Sequence, residues 1–160
     1  MNRETLMSII RKILLSAAII STPVAVLAGG HSGDGKGFSS VVNSVTIEGT
    51  TGFIVHNTNR DFWHFENAPK GWPTAAMATC HQSILFKAGQ QAPAAIRMVC
   101  DSVDPDGDAT LWTAEVDPAT GVGTGKMVAG TGKYAGEEAN PTFQTIYDLG
   151  SGESIYQFKW

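Results

Sequence analysis

The chain has 160 residues, with 15 acidic against 11 basic side chains and a net charge of −4. This length is sufficient for one domain of ordinary size with a buried core. Because nucleic acids and anionic membranes are recognised through basic patches, the acidic balance argues against both as partners.

The N-terminus has the pattern of a secretory signal peptide. A basic region at Arg3, Arg11 and Lys12 precedes an apolar stretch over residues 13–27, and cleavage is expected after Ala28. A retained membrane anchor is the alternative, but spanning a bilayer takes roughly 20 apolar residues, more than this stretch offers. The sequence therefore predicts a secreted or periplasmic protein that does not contact the membrane after cleavage.

Three segments follow from this assignment. Residues 1–28 form the signal peptide, the Gly/Ser-rich residues 29–40 form a flexible leader, and residues 41–160 form the folded domain. Without the signal peptide the chain keeps eight basic and 14 acidic residues, so its net charge becomes −6. The domain itself is therefore more acidic than the whole chain.

From residue 41 onward the chain predicts short strands and turns, with no amphipathic helix. β-Branched and aromatic runs separated by Gly, Pro and Asp clusters indicate seven or eight strands. The strands are expected at 41–48, 52–57, 77–87, 94–103, 110–116, 122–128, 142–149 and 154–160. The last strand is aromatic and runs to the end of the chain, as barrel closure requires. We therefore predict an all-β fold, a single small antiparallel eight-stranded β-barrel.

An aromatic segment at residues 59–73 interrupts this pattern. Phe62, Trp63, Phe65 and Trp72 lie among Asn, Asp, Pro and Gly, which indicates an ordered loop or bent strand closing one end of the fold. His64 and Glu66 within it could supply a general base at a cavity rim. A core plug with a satisfied histidine is the other interpretation.

The only two cysteines, Cys80 and Cys100, lie at mirrored positions on one predicted hairpin. Pairing Leu85 with Ala95 puts the two cysteines directly opposite each other. An exported chain with two cysteines favours a disulfide, which would stabilise by roughly 3 kcal/mol through loop closure. The spacing does not fit a zinc site, so no metal is expected.

The period of two divides the hairpin side chains between two faces. The more apolar face is predicted to point inward and holds Cys80, Gln82, Ile84, Phe86, Ile96, Met98 and Cys100. Phe53 and Val55 on the earlier strand, and Trp112 and Val116 on the later one, are predicted to point inward with it. The opposite assignment would instead bring a polar set into the lumen, namely His56, His81, Ser83 and Arg97. A Ser/His pair suggests nucleophilic catalysis, but no nucleophile elbow is present, and an exposed polar face is the alternative.

Asp101, Asp104, Asp106 and Asp108 form an acidic cluster around Gly107. An EF-hand is excluded because its first and last ligand positions would fall on Ser102 and Thr113. A weak calcium site stays open as an alternative to a turn whose aspartates bond to their own backbone.

The segment Gly130-Thr131-Gly132-Lys133-Tyr134-Ala135-Gly136 predicts a tight chain reversal, with positive φ at its glycines and Tyr134 packed inward. It does not have the spacing of a phosphate-binding loop. Together with the Asp-Gly-Asp turn and the cysteine pair, the segment resembles the allene oxide cyclase-like barrel families, which include dirigent proteins and small exported bacterial relatives. The resemblance covers about residues 80–160, and the chain departs from it at 137–141, where further glycines are usual.

The resemblance implies an eight-stranded barrel with an apolar cavity, in which family members bind hydrophobic molecules or guide their cyclisation or coupling. Our leading hypothesis is an exported protein that binds a hydrophobic small molecule in its lumen, without a cofactor. A cyclase or isomerase acting by confinement is the first alternative, and a structural or surface-interaction module is the second. No catalytic residue is assigned. The candidate ligand-binding residues are Phe62, Trp63, His64, Phe65, Glu66, Trp72, Phe86, Met98, Trp112 and Tyr134.

Overall fold

The fold was analysed in a computed structural model that describes residues 32–160. Eight strands form one sheet, in which each strand pairs antiparallel with the next and β8 pairs with β1, so the sheet closes into a barrel. The strands are β1 (Asp34–Gly49), β2 (Gly52–Asn67), β3 (Ala75–Lys87), β4 (Ala95–Val103), β5 (Ala109–Val116), β6 (Val122–Gly130), β7 (Thr142–Gly150) and β8 (Glu153–Lys159). The predicted eight-stranded antiparallel barrel is confirmed.

The expected signal peptide and residues 29–31 of the expected leader lie outside the described residues. Within residues 32–160, no helix has the length and apolar character needed to cross a membrane.

Residues 34–40 were expected in the flexible leader, but they form the first half of β1 and pair with both β2 and β8. Gly35 and Gly37, two of the glycines that suggested a linker, face the barrel interior instead. A Cβ at Gly35 would meet the His64 carbonyl and the Phe158 ring, and one at Gly37 would meet the Tyr156 ring. Glycine is required here because aromatic rings of β8 lie directly over the backbone of β1.

The cysteine hairpin has the predicted register. Leu85 is paired with Ala95 and Cys80 with Cys100, and the two sulfurs form a disulfide. The predicted inward face is also confirmed, since both cysteines are buried and Met98 faces the lumen, whereas Arg97 is exposed.

One end of the barrel, here called the closed end, carries the β2–β3, β4–β5 and β6–β7 connections and is filled by aromatic rings. Phe65 packs edge-on against Trp72, Phe158 and Trp160 at centroid distances of 6.1, 5.6 and 6.0 Å. Trp72 in turn packs against Tyr134 at 4.9 Å. The aromatic segment at 59–73 therefore closes the barrel as predicted, although residues 59–67 continue strand β2 rather than forming a loop.

The closed end is also fastened by a polar cluster, which we call the Asp104 clasp: Asp104, Asp106, Asp108, Lys133 and Tyr134. The Lys133 ammonium lies 2.6, 2.7 and 3.3 Å from carboxylate oxygens of Asp104, Asp106 and Asp108. The Tyr134 hydroxyl donates to Asp104 at 2.9 Å. Three of the four aspartates of the predicted acidic cluster thus surround a side-chain cation, whereas Asp101 is exposed on β4. Asp104 also accepts from the backbone N–H of Asp106 and Asp108, as expected of a turn.

The Gly-rich segment 130–136 builds this clasp. Gly132–Tyr134 forms a 3₁₀ turn, with φ of 51° at Gly132 and 80° at Gly136, and Tyr134 is buried as predicted. Gly130 does not have the predicted positive φ. It ends β6, where a Cβ would meet the side chain and carbonyl of Tyr134. Glycine is therefore required at this position by the close approach of Tyr134 and not by a positive φ.

The opposite end, here called the open end, carries the hairpin tips, and its wall is incomplete. β8 pairs with β1 only over Asp34–Ser40, so residues 43–49 of β1 pair with β2 alone. β7 pairs with β6 only at Thr142, Phe143 and Gln144. The lumen is therefore accessible from this end.

Candidate ligand-binding site in the barrel lumen

A cavity of about 320 Å³ occupies the open half of the lumen, and we call it the polar chamber. Its walls mix hydrogen-bonding and apolar side chains contributed by strands all round the barrel. The polar members include Ser39, Asn59, Asp61, Gln82, Ser154 and Tyr156, and the apolar ones include Ile96, Met98, Val116 and Phe143.

Asp61 is the centre of a hydrogen-bond network in this chamber, and it is only 5% exposed. Ser39 Oγ donates to one carboxylate oxygen at 2.7 Å, and the Tyr156 hydroxyl donates to the other at 2.6 Å. Behind them, Asn59 Nδ2 donates to Ser39 Oγ at 3.0 Å and Trp63 Nε1 donates to Tyr156 at 2.5 Å. Two donor relays therefore converge on a single carboxylate.

The surroundings of this pair raise both pKa values. Burial raises the pKa of Asp61 above its ordinary value, although hydrogen bonds from Tyr156 and Ser39 oppose the shift. Burial also raises the pKa of Tyr156 well above its usual range, and the adjacent Asp61 charge adds to this. Tyr156 therefore keeps its proton at neutral pH, while Asp61 is easier to protonate than a solvated aspartate.

A smaller apolar pocket of about 80 Å³ lies next to the chamber and towards the closed end. Met98 and Phe143 line both cavities, so the two share a wall. Trp63 and Trp112 meet edge-to-face at 5.9 Å within it. The other large side chains of the pocket are Phe65, Phe158 and Trp160.

The chemistry of the lumen is set by the side chains that line it. Among residues 32–160 no three His, Cys, Asp or Glu side chains lie close enough together to hold a metal ion. Of the described residues that line the chamber and the pocket, none is Lys, Arg or His. The lumen combines aromatic surface with one buried acid, which suits recognition of a small, largely apolar molecule.

The predicted ligand-binding residues divide into three groups. Trp63, Phe65, Met98 and Trp112 line the apolar pocket. Trp72 and Tyr134 pack at the closed end, and Phe86 stacks on Phe53 at 4.6 Å near the hairpin tips. Phe62, His64 and Glu66 are exposed on the outside of the barrel.

The outward position of His64 and Glu66 follows from strand geometry. Once residues 59–67 continue β2, the period of two places 62, 64 and 66 on the face opposite to 63 and 65. Glu66 instead accepts a hydrogen bond from Lys36 at 2.6 Å, on the barrel surface. These two residues therefore do not form a general base at the cavity rim.

The alternative polar lumen is likewise excluded. Ser83 lies opposite Arg97 as predicted, but both are on the outer face, and Arg97 pairs with Glu115 at 3.2 Å. Ser83 Oγ lies 2.9 Å from His56 Nδ1, an exposed contact between neighbouring strands.

Sequence reasoning missed the residues that make the lumen polar, above all Asp61 and Tyr156. Ser39 was assigned to the leader, and Asp61 to a segment predicted as an ordered loop or bent strand, with no inward orientation assigned to it. The available signal was strand parity: Phe53 and Val55 were predicted to point inward, and continuing the same alternation along β2 puts Asn59, Asp61 and Trp63 inward too.

No protein-family model, curated protein or solved structure matches this chain.

Proposed function

We propose that this protein binds a small, largely hydrophobic molecule inside its barrel. The observation that supports this most directly is the adjoining pair of cavities, a chamber of about 320 Å³ open to solvent and an aromatic pocket behind it. A packed structural module would fill such a space with side chains, because protein interiors are close-packed. The aromatic walls would hold an apolar body, and the Asp61 network would orient one polar group.

Export to the periplasm or the cell exterior is part of this proposal. Its support is the signal-peptide pattern of residues 1–28 together with the Cys80–Cys100 disulfide, since disulfides persist in oxidising compartments. A protein in that location would meet its ligand outside the cytoplasm.

A test of binding can use the uncharged probe N-phenyl-1-naphthylamine, whose fluorescence rises in apolar sites. Met98→Trp should strongly reduce the rise, because Met98 borders both cavities and the larger ring would occupy the space where they meet. Val99→Trp is the matched control, since the neighbouring Val99 faces outward and is 45% exposed. Equal probe binding by wild type and Met98→Trp, with both folded by circular dichroism, would contradict luminal binding.

The physiological ligand can be sought by native mass spectrometry of protein purified from its own periplasm. A co-purifying mass that is present in wild type and Val99→Trp but absent from Met98→Trp would identify a luminal ligand.

A second candidate function is isomerisation or cyclisation of that ligand, in line with the resemblance to allene oxide cyclase-like barrels. The specific support is a buried carboxylate and a protonated tyrosine 2.6 Å apart in the chamber wall. Asp61 could accept a proton from one atom of the substrate and return it to another, while the Tyr156 hydroxyl turns from Asp61 to donate a hydrogen bond to a developing oxyanion. Incubation of the released ligand with the protein should then yield an isomer of unchanged mass, and Asp61→Asn should abolish its formation. Repeated binding without any new isomer would refute this second function.

A further inference from the structure

The polar chamber offers acceptors but no cation. Asp61 presents a buried carboxylate, and Asn59 Oδ1 is buried without a hydrogen-bond partner among residues 32–160. Both side chains line the chamber. A buried charge that meets only neutral donors is costly, because loss of hydration is repaid fully only by an opposite charge.

The direction of the two relays explains why acceptor capacity remains at Asp61. Asn59 Nδ2 and Trp63 Nε1 can only donate, so the hydroxyl protons of Ser39 and Tyr156 are directed onto Asp61. These donors are therefore used within the protein. Each carboxylate oxygen of Asp61 accepts one of these hydrogen bonds and keeps a further lone pair.

Building on the proposed luminal binding, we propose that the preferred ligand is a hydrophobic amine bound as its cation. The ammonium group would lie against Asp61 and Asn59 Oδ1, where it satisfies the orphan acceptor and neutralises the buried charge. The apolar body would occupy the pocket. The Trp63 ring in the pocket wall and the Tyr156 ring in the chamber wall would add attraction for the cation. A carboxylate ligand would meet the Asp61 charge, and none of the described residues in the chamber wall is a cation that could compensate for it.

Three compounds with one aromatic body test this: 1-naphthylmethylamine, 1-naphthylmethanol and 1-naphthoic acid. Calorimetric titration of the full chain at neutral pH should give an amine affinity about tenfold above that of the alcohol, with the acid weakest. Asp61→Asn should bring the amine and the alcohol within about twofold of each other. Asp101→Asn removes the same charge from the exposed outer face and should leave the order unchanged.

Thr145→Lys provides an independent variant if Asp61→Asn does not fold. Thr145 is exposed and lines the chamber, so a lysine there would supply the missing cation without disturbing the core. It should weaken the amine and strengthen the acid. Unchanged affinities for both the amine and the acid in folded Thr145→Lys would overturn the proposal.

The remaining outcomes separate this inference from the proposed function. If wild type binds all three compounds equally, or prefers the alcohol or the acid, the amine inference is wrong and luminal binding stands. If Asp101→Asn loses the preference as fully as Asp61→Asn, only the overall charge matters and the inference is again wrong. If none of the three compounds binds wild type, luminal binding itself is contradicted, and the amine inference with it.

Discussion

Two buried aspartates at opposite ends of this barrel are held in opposite ways. Asp104 at the closed end accepts from the Lys133 ammonium, the Tyr134 hydroxyl and two backbone N–H groups. Asp61 in the chamber accepts from two neutral hydroxyls, and among residues 32–160 it has no ion-pair partner. Although burial opposes it, the bonds from Lys133 and Tyr134 lower the pKa of Asp104, whereas burial raises the pKa of Asp61.

Under the proposed function, this difference separates an acid that stabilises the fold from one that is held for a ligand. The charge of Asp104 is neutralised within the chain, so it stabilises the fold and offers nothing to a ligand. The charge of Asp61 is not neutralised by any lining side chain, so it stays available at the cost of some stability. Binding and catalytic sites commonly lower the stability of a protein in this way, since the groups that bind a ligand lack some of their hydrogen-bond or charge partners when the ligand is absent.

The largest expected effect is the difference in stability loss when each acid is replaced by its amide. Asp104→Asn should lower the free energy of unfolding by about 4 kcal/mol, because its amide group would face the Lys133 ammonium across a buried contact. Asp61→Asn should cost only about 1 kcal/mol, since it loses one hydrogen bond and no ion pair. Urea unfolding of the two variants at pH 7 measures both values. Equal losses would show that the two acids do not differ in role.

The disulfide lies between the two ends, with Cys80 in the chamber wall and Cys100 in the wall of the apolar pocket. Its removal in Cys80→Ala/Cys100→Ala should cost about 3 kcal/mol, because the free energy comes mainly from restricting the unfolded chain. Reductant should lower the urea midpoint of wild type to a similar extent and leave that of the double variant unchanged. A urea midpoint of wild type that does not change with reductant would contradict an intact disulfide. Peptide mapping under non-reducing conditions is an independent test for the Cys80–Cys100 link.

The same cysteine pair shows why much of the fold could be predicted from the sequence. One fixed pairing, Cys80 with Cys100, sets the register of β3 and β4, and the period of two then sorts their faces. The Gly, Pro and Asp turns are local signals, and they delimited β5 to β8 to within a few residues. These features depend on neighbours in sequence or on a single covalent constraint.

The parts that were missed depend on contacts between distant strands. In the sequence, Gly35 and Gly37 favour a flexible linker. In the structure they are strand residues, and the rings of Phe158 and Tyr156 lie over them. The inward position of Asp61 was missed because aromatic residues lie on both faces of β2, with Phe62 outward and Trp63 inward. The sequence of β2 therefore shows no clear alternation of apolar and polar residues. The Asp61–Tyr156 contact joins residues 95 positions apart, and only barrel closure through β1 and β8 brings them together.

Tyr134 donates a hydrogen bond to Asp104 and Tyr156 donates one to Asp61, so the two tyrosines can be compared in the same way. Tyr134→Phe removes one hydrogen bond to a charged group and should cost about 2 kcal/mol, with no effect on binding of the naphthyl compounds. Tyr156→Phe should cost a similar amount, because it leaves Trp63 Nε1 without its acceptor, but it should also change ligand affinity. Unfolding and calorimetric titration of both variants provide the two readouts. A change in affinity caused by Tyr134→Phe would mean that the clasp is coupled to the lumen.

The smallest effect is expected in the pH dependence of stability. The lowered pKa of Asp104 means that its stabilisation is complete above the unfolded value of about 3.9 and is lost as the pH falls through its folded value. The raised pKa of Asp61 has the opposite sign: its contribution is greatest below about pH 3.9 and declines as the pH rises through its folded value.

Urea unfolding of wild type and both amide variants between about pH 3 and 7 can resolve these slopes, because each amide removes one titration. The stability difference between wild type and Asp104→Asn should grow as the pH rises, and that between wild type and Asp61→Asn should shrink. A saturating hydrophobic amine should reverse the second slope, because an ammonium ion beside Asp61 favours its ionised form. Slopes of the same sign for both variants would show that Asp61 is neutralised within the fold and is not held for a ligand.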